Sequence, residues 1–267
     1  MPASFSGRVV FLLQQYWKSY LQGAGTTLLI ALIATFVGVI IGLLVGIVMT
    51  IPVEKNDIAA KKGILWVIKK ILFLYIELFR GTPMMVQAMF IFYGALQYLN
   101  LDMNMWFAAF FIVSINTGAY MAETVRGGIL SIDDGQTEGA KSIGMTHFQT
   151  MLYVILPQAL RNIMPQIGNN LIINIKDTSV LSVISVTELF FVGKSVAGVY
   201  YTTFESFFIV SVMYLVMTVT SARILRSIES RMDGSANYDL ATTDTLAHTS
   251  GMTDYIEPKE HKERGTK

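Results

Sequence analysis

The chain has 267 residues, 53% of them hydrophobic and 15% charged, with a net charge of +1 and no cysteine. That balance leaves no excess charge for a nucleic-acid surface, and the missing cysteines exclude disulfides, thiolate metal sites and cysteine nucleophiles. Several charge-free runs can cross a hydrocarbon core of about 30 Å, which takes roughly 20 helical residues, so the sequence reads as an all-α membrane protein embedded in a lipid bilayer.

The first segment, "RVVFLLQQYWKSYLQG", places Val10, Leu13, Tyr16, Trp17, Tyr20 and Leu21 on one helical side. It predicts either an amphipathic interfacial helix over residues 1–22 or the start of the first span. The charge-free run from Ser19 to Val53 is expected to be a span rather than a cleavable signal. Within it, over 26–49, Gly38, Gly42 and Gly46 recur every four residues and leave a groove for another backbone. A polar linker, "PVEKNDIAAKKG", precedes the second span, about 64–99, which contains Glu77, Arg80 and a Gly-Thr-Pro sequence at 81–83 that requires a kink or break. Further spans are expected at about 106–122, 163–187 and 206–222, making five within a membrane domain over 23–231. The tail, 232–267, is polar, mixed in charge and without apolar periodicity, which predicts a disordered extension.

Positive charge fixes the expected orientation. With the N-terminus outside, the inner segments hold Lys55, Lys61, Lys62, Lys69, Lys70, Arg126, Lys141, Arg161, Arg223, Arg226 and Arg231, against Arg8, Lys18 and Lys194 outside. The loop over 133–157 is therefore expected to be cytoplasmic, as is the C-terminus. Helices over 137–143 and 146–155 are predicted there, separated by Gly144, with Pro157 stopping the second or starting a third. Such a helix-turn-helix makes a projecting knob, with Ala140, Ile143, Met145, Phe148 and Leu152 available to a partner's groove.

The stretch "EGAKSIGMTHFQTMLYVILP" resembles the cytoplasmic Glu-Ala-Ala loop of ABC importer permeases: Glu138, Ala140, Gly144 and Leu156-Pro157 match, while Gly139 replaces an alanine. The similarity continues through "ELFRGTPMMVQAMFIFYG", "GAYMAETVRGGILSIDDGQTEGAKSIG" and "NIKDTSVLSVISVTELFF", which resemble the permeases for polar amino acids of the histidine, glutamine and arginine type. The resemblance implies a type I ABC importer permease fold in a bacterial cytoplasmic membrane. Its implied partners are a second permease subunit, identical or not, a cytoplasmic ATPase dimer that binds ATP and Mg, and an extracytoplasmic amino-acid-binding protein. It makes the loop a coupling helix, with Glu138, Ala140, Ile143, Gly144, Met145 and Phe148 meeting the ATPase.

The chain itself offers no enzyme chemistry. "FVGKS" at 191–195 ends like a phosphate-binding loop, but Glu188 stands where its first glycine is required, so ATP is expected on another chain. His147, His248 and His261 lack ligand spacing, and neither a cofactor nor a metal is expected on this chain. Charges within spans point to function by default. Lys176 and Asp177, with Asn174 beside them, either face the pathway and take the ammonium and carboxylate of an amino acid or form structural ion pairs. Adjacent on a helix, they point about 100° apart and are badly placed for each other. Glu77 with Arg80, and Glu123 with Arg126, can pair along their helices. The second pair reads as structural; the first also stands to contact substrate or the opposite subunit. The competing reading is an ion-coupled secondary transporter or channel, supported by the intramembrane charges but not by any internal repeat; a membrane anchor for a signalling complex leaves Lys176 and Asp177 unexplained.

Overall fold

Nothing between Phe5 and Thr50 stops a helix, and the computed structural model has one there: α1 (Phe5–Thr50), 46 residues, opened by Ser4, whose hydroxyl accepts from the Gly7 N–H at 3.2 Å. The structure describes residues 1–53 and 57–232, with side chains through 230. Lys55, the Arg231 side chain, His248, His261 and the expected tail over 233–267 lie outside the described residues. At 1.5 Å per residue α1 is about 69 Å long, more than twice the hydrocarbon thickness. The separate interfacial helix expected over 1–22 is thus the first part of α1. Leu12 and Tyr20 pack into the protein, whereas Val10, Leu13, Trp17 and Leu21 of the expected apolar side stay exposed. Gly23 lets the helix run on against a neighbour, for a Cβ there would lie 3.0 Å from the Leu189 Cα.

The glycine stripe is filled by α4 (Met105–Leu130). Cβ atoms placed on Gly38, Gly42 and Gly46 would fall 2.6, 2.3 and 2.6 Å from side-chain atoms of Thr117, Met121 and Val125. Both numbers rise together, so α1 and α4 run parallel. Asn104 caps α4, its side chain accepting from the Trp106 N–H at 2.8 Å. The expected second span is broken into α2 (Ala59–Gly81) and α3 (Met84–Leu99). Both run antiparallel to α4: Ile76 packs near Ala122, Asn116 bonds at the level of Phe79, and Ala88 joins Ala108, Ala109 and Ile112.

Beyond α4 come α5 (Asp134–Ser142) and α6 (His147–Thr150), then a π-turn over Met151–Ile155 that leads straight into α7 (Leu156–Asp177). Pro157 therefore does not stop a helix but stands in the first turn of α7, the third helix, as one of the two expectations had it. The wide turn, in which the Leu156 N–H reaches the Met151 carbonyl, absorbs the missing proline donor. After α7 a 3₁₀ segment, Thr178–Ile184, ends at Ser185 with φ +66°, and α8 (Leu189–Tyr200) leaves at 53°. α7 runs antiparallel to α4, with Ile163 against Gly128 and Asn174 against Thr117. α8 runs antiparallel to α1, with Leu189 at Gly23 and the Tyr200 hydroxyl 3.2 Å from that of Tyr16. α9 (Thr203–Met232) returns parallel to α1, from Phe5 against Phe204 and Phe208 to Ile209 and Val210 in the cluster around Leu12.

By length and composition α1, α4 and α9 can each cross a membrane, and the bent pair ending in α8 makes a fourth. α2 is too charged to qualify on composition, carrying Lys69, Lys70, Glu77 and Arg80. It nevertheless lies along α4 and continues through the break into α3, so the described residues form five helical runs of alternating direction.

Candidate functional site

The broken second run creates both a chemical problem and a cavity. Pro83 has no N–H, so the Phe79 carbonyl loses its helical donor. Gln87 and Asn116 replace it: Gln87 Nε2 lies 2.9 Å and Asn116 Nδ2 3.1 Å from that oxygen. Gln87 Nε2 also reaches the Thr82 carbonyl and hydroxyl at 2.9 Å each, and its Oε1 accepts from Asn116 Nδ2 at 2.9 Å. Gln87→Leu, similar in size but without the amide, should strand these buried groups and cost about 1–3 kcal/mol. A lowered thermal midpoint of the detergent-solubilised protein is the expected reading, and an unchanged midpoint would show that the break needs no such support.

Beside the break lies a cavity of about 310 Å³. Its wall comes from Thr82, Pro83 and Met84 at the start of α3, Asn116, Thr117 and Tyr120 of α4, and Asn170, Ile173, Asn174 and Asp177 of α7. Asn174 is chiefly a tie between helices, donating to the hydroxyls of Thr35 at 2.8 Å and Thr117 at 3.0 Å. Asn170 donates to the Gln166 carbonyl at 3.0 Å. Asp177 is half-buried and has no salt bridge among the described residues. The wall therefore pairs one carboxylate with a helix N-terminus whose first backbone N–H groups have no helical acceptor.

The loop between α4 and α7 is built on Gly144, at φ +84°. The Gly144 N–H donates to the Lys141 carbonyl at 2.9 Å and the Met145 N–H to the Ala140 carbonyl at 3.1 Å, a Schellman closure of α5. Two residues on, Thr146 opens α6 with a capping box: its hydroxyl accepts from the Gln149 N–H at 3.3 Å while Gln149 Oε1 accepts from the Thr146 N–H at 2.9 Å. The corner is thus locked on both sides. It presents Ile143, 78% exposed, and Phe148, 72% exposed, with Glu138 exposed and Met145 half-buried. Ala140 differs from expectation: at 5% exposure it faces the protein's own interior and supports the corner without offering a contact.

Residues 58–234 match the family model described as binding-protein-dependent transport system inner membrane component. The chain belongs to that family. It is 40% identical over 168 residues to the glutamine transport system permease protein GlnP of Escherichia coli (strain K12), covering 62% of this chain and 77% of that protein. It is 30% identical over 227 residues to the nopaline transport system permease protein NocM of Agrobacterium fabrum (strain C58 / ATCC 33970), covering 82% and 89%. Among solved structures, an amino acid ABC transporter crystallised with histidines superposes with a TM-score of 0.73 at 33% identity, covering 86% of this chain and all of that one. The fold is that of a type I ABC importer permease.

Within this inner membrane component the charges expected along the pathway divide. Asn174 and Asp177 line the cavity, and Arg80 adjoins it, its Cζ 5.7 Å from the centre of the Tyr120 ring. Lys176 does not: it lines a separate groove of about 470 Å³ with Ser179, Phe190 and Tyr214, among others. Glu77 is exposed outside the cavity, and the salt bridges among the described residues do not join it to Arg80. Glu123 and Arg126 do pair. "VGKS" sits inside α8, where Gly193 makes room for Val210 and Ser195 donates to the Phe191 carbonyl at 2.8 Å.

Sequence reasoning missed Gln87, Asn116, Thr117 and Tyr120 as parts of the site. Gln87 had a local signal, an amide one turn after Pro83 in a largely apolar helix. Glu188 was read merely as a misfit to a phosphate loop, yet it is fully buried and caps α8, accepting from the N–H groups of Phe190 at 2.8 Å and Phe191 at 2.6 Å and from the Tyr214 hydroxyl at 2.9 Å.

Proposed function

We propose that this permease is the membrane-spanning subunit of an ATP-driven importer that moves a polar amino acid through the cavity beside the Gly-Thr-Pro break. The observation that carries the reading is the wall itself, which offers Asp177 and the N-terminus of α3 in one space. An amino acid zwitterion needs an anion for its ammonium and a donor cluster for its carboxylate. Asp177 supplies the first. The free N–H end of α3, where Met84 lines the cavity, supplies the second, because the first N–H of α3 with a helical acceptor is that of Gln87, bonded to the Pro83 carbonyl at 3.1 Å. The relatives named for transport of glutamine and nopaline, and the solved transporter carrying histidines, support an amino acid as cargo.

In this reading the N-terminus is extracytoplasmic and the corner at Gly144 is cytoplasmic. A binding protein delivers the amino acid, a second permease subunit completes the pathway, and a separate ATPase dimer with ATP and Mg docks on Ile143, Phe148 and Glu138. Rearrangement of the ATPase on hydrolysis moves the corner, which must be stiff to pass displacement into the passes. The assembled transporter in proteoliposomes tests this. Asp177→Asn keeps the shape but loses the charge, and should raise the concentration for half-maximal amino acid uptake at least about tenfold, as expected for a charge-assisted contact. Uptake should require the ATPase and ATP. Unchanged uptake by Asp177→Asn, or transport driven by an ion gradient without the ATPase, would overturn the reading.

A further inference from the structure

The cavity has a definite inner end. α4 runs toward the Gly144 corner and α7 away from it, so Tyr120 and Asn170 are the wall residues of those helices nearest the corner. Beyond them in the same direction lies the closed Glu123–Arg126 pair. Between cavity and pair sits a cation with no salt bridge among the described residues: Arg80, whose guanidinium rests over the Tyr120 ring with Cζ 5.7 Å from its centre.

Arg80 is also placed to move. It is in the last turn of α2, one residue before Gly81 and the break, where the backbone ladder is already interrupted. A Cβ on Gly81 would meet nothing within 4 Å, so packing does not clamp the turn. Tyr120 is 43% exposed, leaving its ring face open to one partner or another. One turn of α4 inward from Tyr120 stands the Glu123 carboxylate, paired in this structure with Arg126, the nearest acidic side chain of α4 toward which Arg80 could swing. An arginine on an aromatic face, with a carboxylate one helical turn away, has the makings of an element with two arrangements, of which the structure shows the first.

We infer that Arg80 and Tyr120 form the inner gate of the cavity, closed while the guanidinium lies on the ring and open when it swings toward Glu123. The inference rests on the cavity being the amino acid's pathway. Arg80 acts as a positioning residue: it holds the Tyr120 ring across the exit.

The lack of native cysteine makes the test clean. A single reporter, Ile173→Cys, is placed on the cavity wall of the assembled transporter in sealed proteoliposomes, and a membrane-impermeant methanethiosulfonate reagent is added on the ATPase side. Loss of one cation–π contact at an exposed ring should raise the labelling rate roughly two- to fivefold in Arg80→Gln. Tyr120→Leu should do the same and serves if the arginine variant fails to assemble. Arg80→Lys, still able to sit on the ring, should stay near the parental rate. Equal rates in parent, Arg80→Gln and Tyr120→Leu would overturn the gate, as would fast labelling in Arg80→Lys. Labelling does not depend on cargo, so the gate and the pathway fail separately. Fast labelling in Arg80→Gln with unimpaired amino acid binding by Asp177→Asn would remove the cargo site and leave the gate, whereas the converse would remove the gate alone.

Discussion

Replacing Gly144 by valine is expected to leave a folded permease that still accepts its amino acid but takes it up at least about tenfold more slowly per ATP hydrolysed, because the corner is strained and re-aimed. The cause is the backbone, not space. At φ +84° an L-residue is strained, and a β-branched one most of all. A Cβ at this position would meet nothing within 4 Å, so no core contact is lost and stability should hold. The left-handed penalty is about 1–2 kcal/mol for an ordinary residue, enough to favour a shift in φ that turns α6 relative to α5. Ile143 and Phe148 would then no longer project together. Gly144→Asn should be milder, since asparagine tolerates this region. Gly139, helical and equally open, should accept alanine without effect and serves as a control. The measurement is uptake against ATP hydrolysis in proteoliposomes, and parental coupling in Gly144→Val would count against the corner as the mechanical joint.

The second large effect is expected at Gly42. Its Cβ would stand 2.3 Å from the Met121 Cβ and 2.8 Å from the Met121 carbonyl carbon. A flexible side-chain tip can yield to such a clash, but a Cβ and a main-chain atom cannot without moving α4. Gly42→Val should therefore push α1 from α4 along the whole parallel seam and destabilise the fold by roughly 1–3 kcal/mol or more, as overpacked cores do. Reduced yield of monodisperse protein and a lower thermal midpoint would report it. Gly25→Val, with nothing within 4 Å of its Cβ, is the matched control in the same helix. Removing the opposing Cβ as well, in Gly42→Val with Met121→Gly, should recover part of the loss, as expected for residues in direct contact. A Gly42→Val protein as stable as the parent would mean that the two backbones do not approach so closely.

These two glycines mark what was legible in the sequence. A four-residue glycine repeat in an apolar run announces a close approach, and a lone glycine between polar, helix-prone segments announces a corner. Both are local patterns with a steric meaning. So is Gly-Thr-Pro, whose missing donor must interrupt a helix wherever it falls. The partner of each pattern was not legible. Nothing around Phe79 says that Asn116, far along the chain, will bond its freed carbonyl at 3.1 Å. Nothing in "IKDTS" says that Lys176 and Asp177 will look into different spaces, beyond the rotation of about 100° between neighbours on a helix. Ala140 was misjudged because a small apolar residue on a polar helix reads equally well as a contact for a partner or as a foot planted on its own chain. Pro157 was legible as the first turn of a third helix, but the π-turn that joins that helix to α6 without a loop was not, because a 3.6-residue periodicity does not contain it.

That π-turn has a mechanical consequence. Helical turns follow one another from His147 to Asp177 without a loop, so the corner and the carboxylate in the cavity lie on one helical run, which carries the π-turn, Pro157 and Pro165 along its way. Its length is about 45 Å at 1.5 Å per residue, so pivoting it near either end by roughly 5° sweeps the far end through about 4 Å, comparable to the length of a salt bridge. The π-turn and the two prolines are the places where such a run bends, so a push smaller than one helical turn at the corner reaches Asp177 partly as a pivot of the whole run and partly as bending at those points.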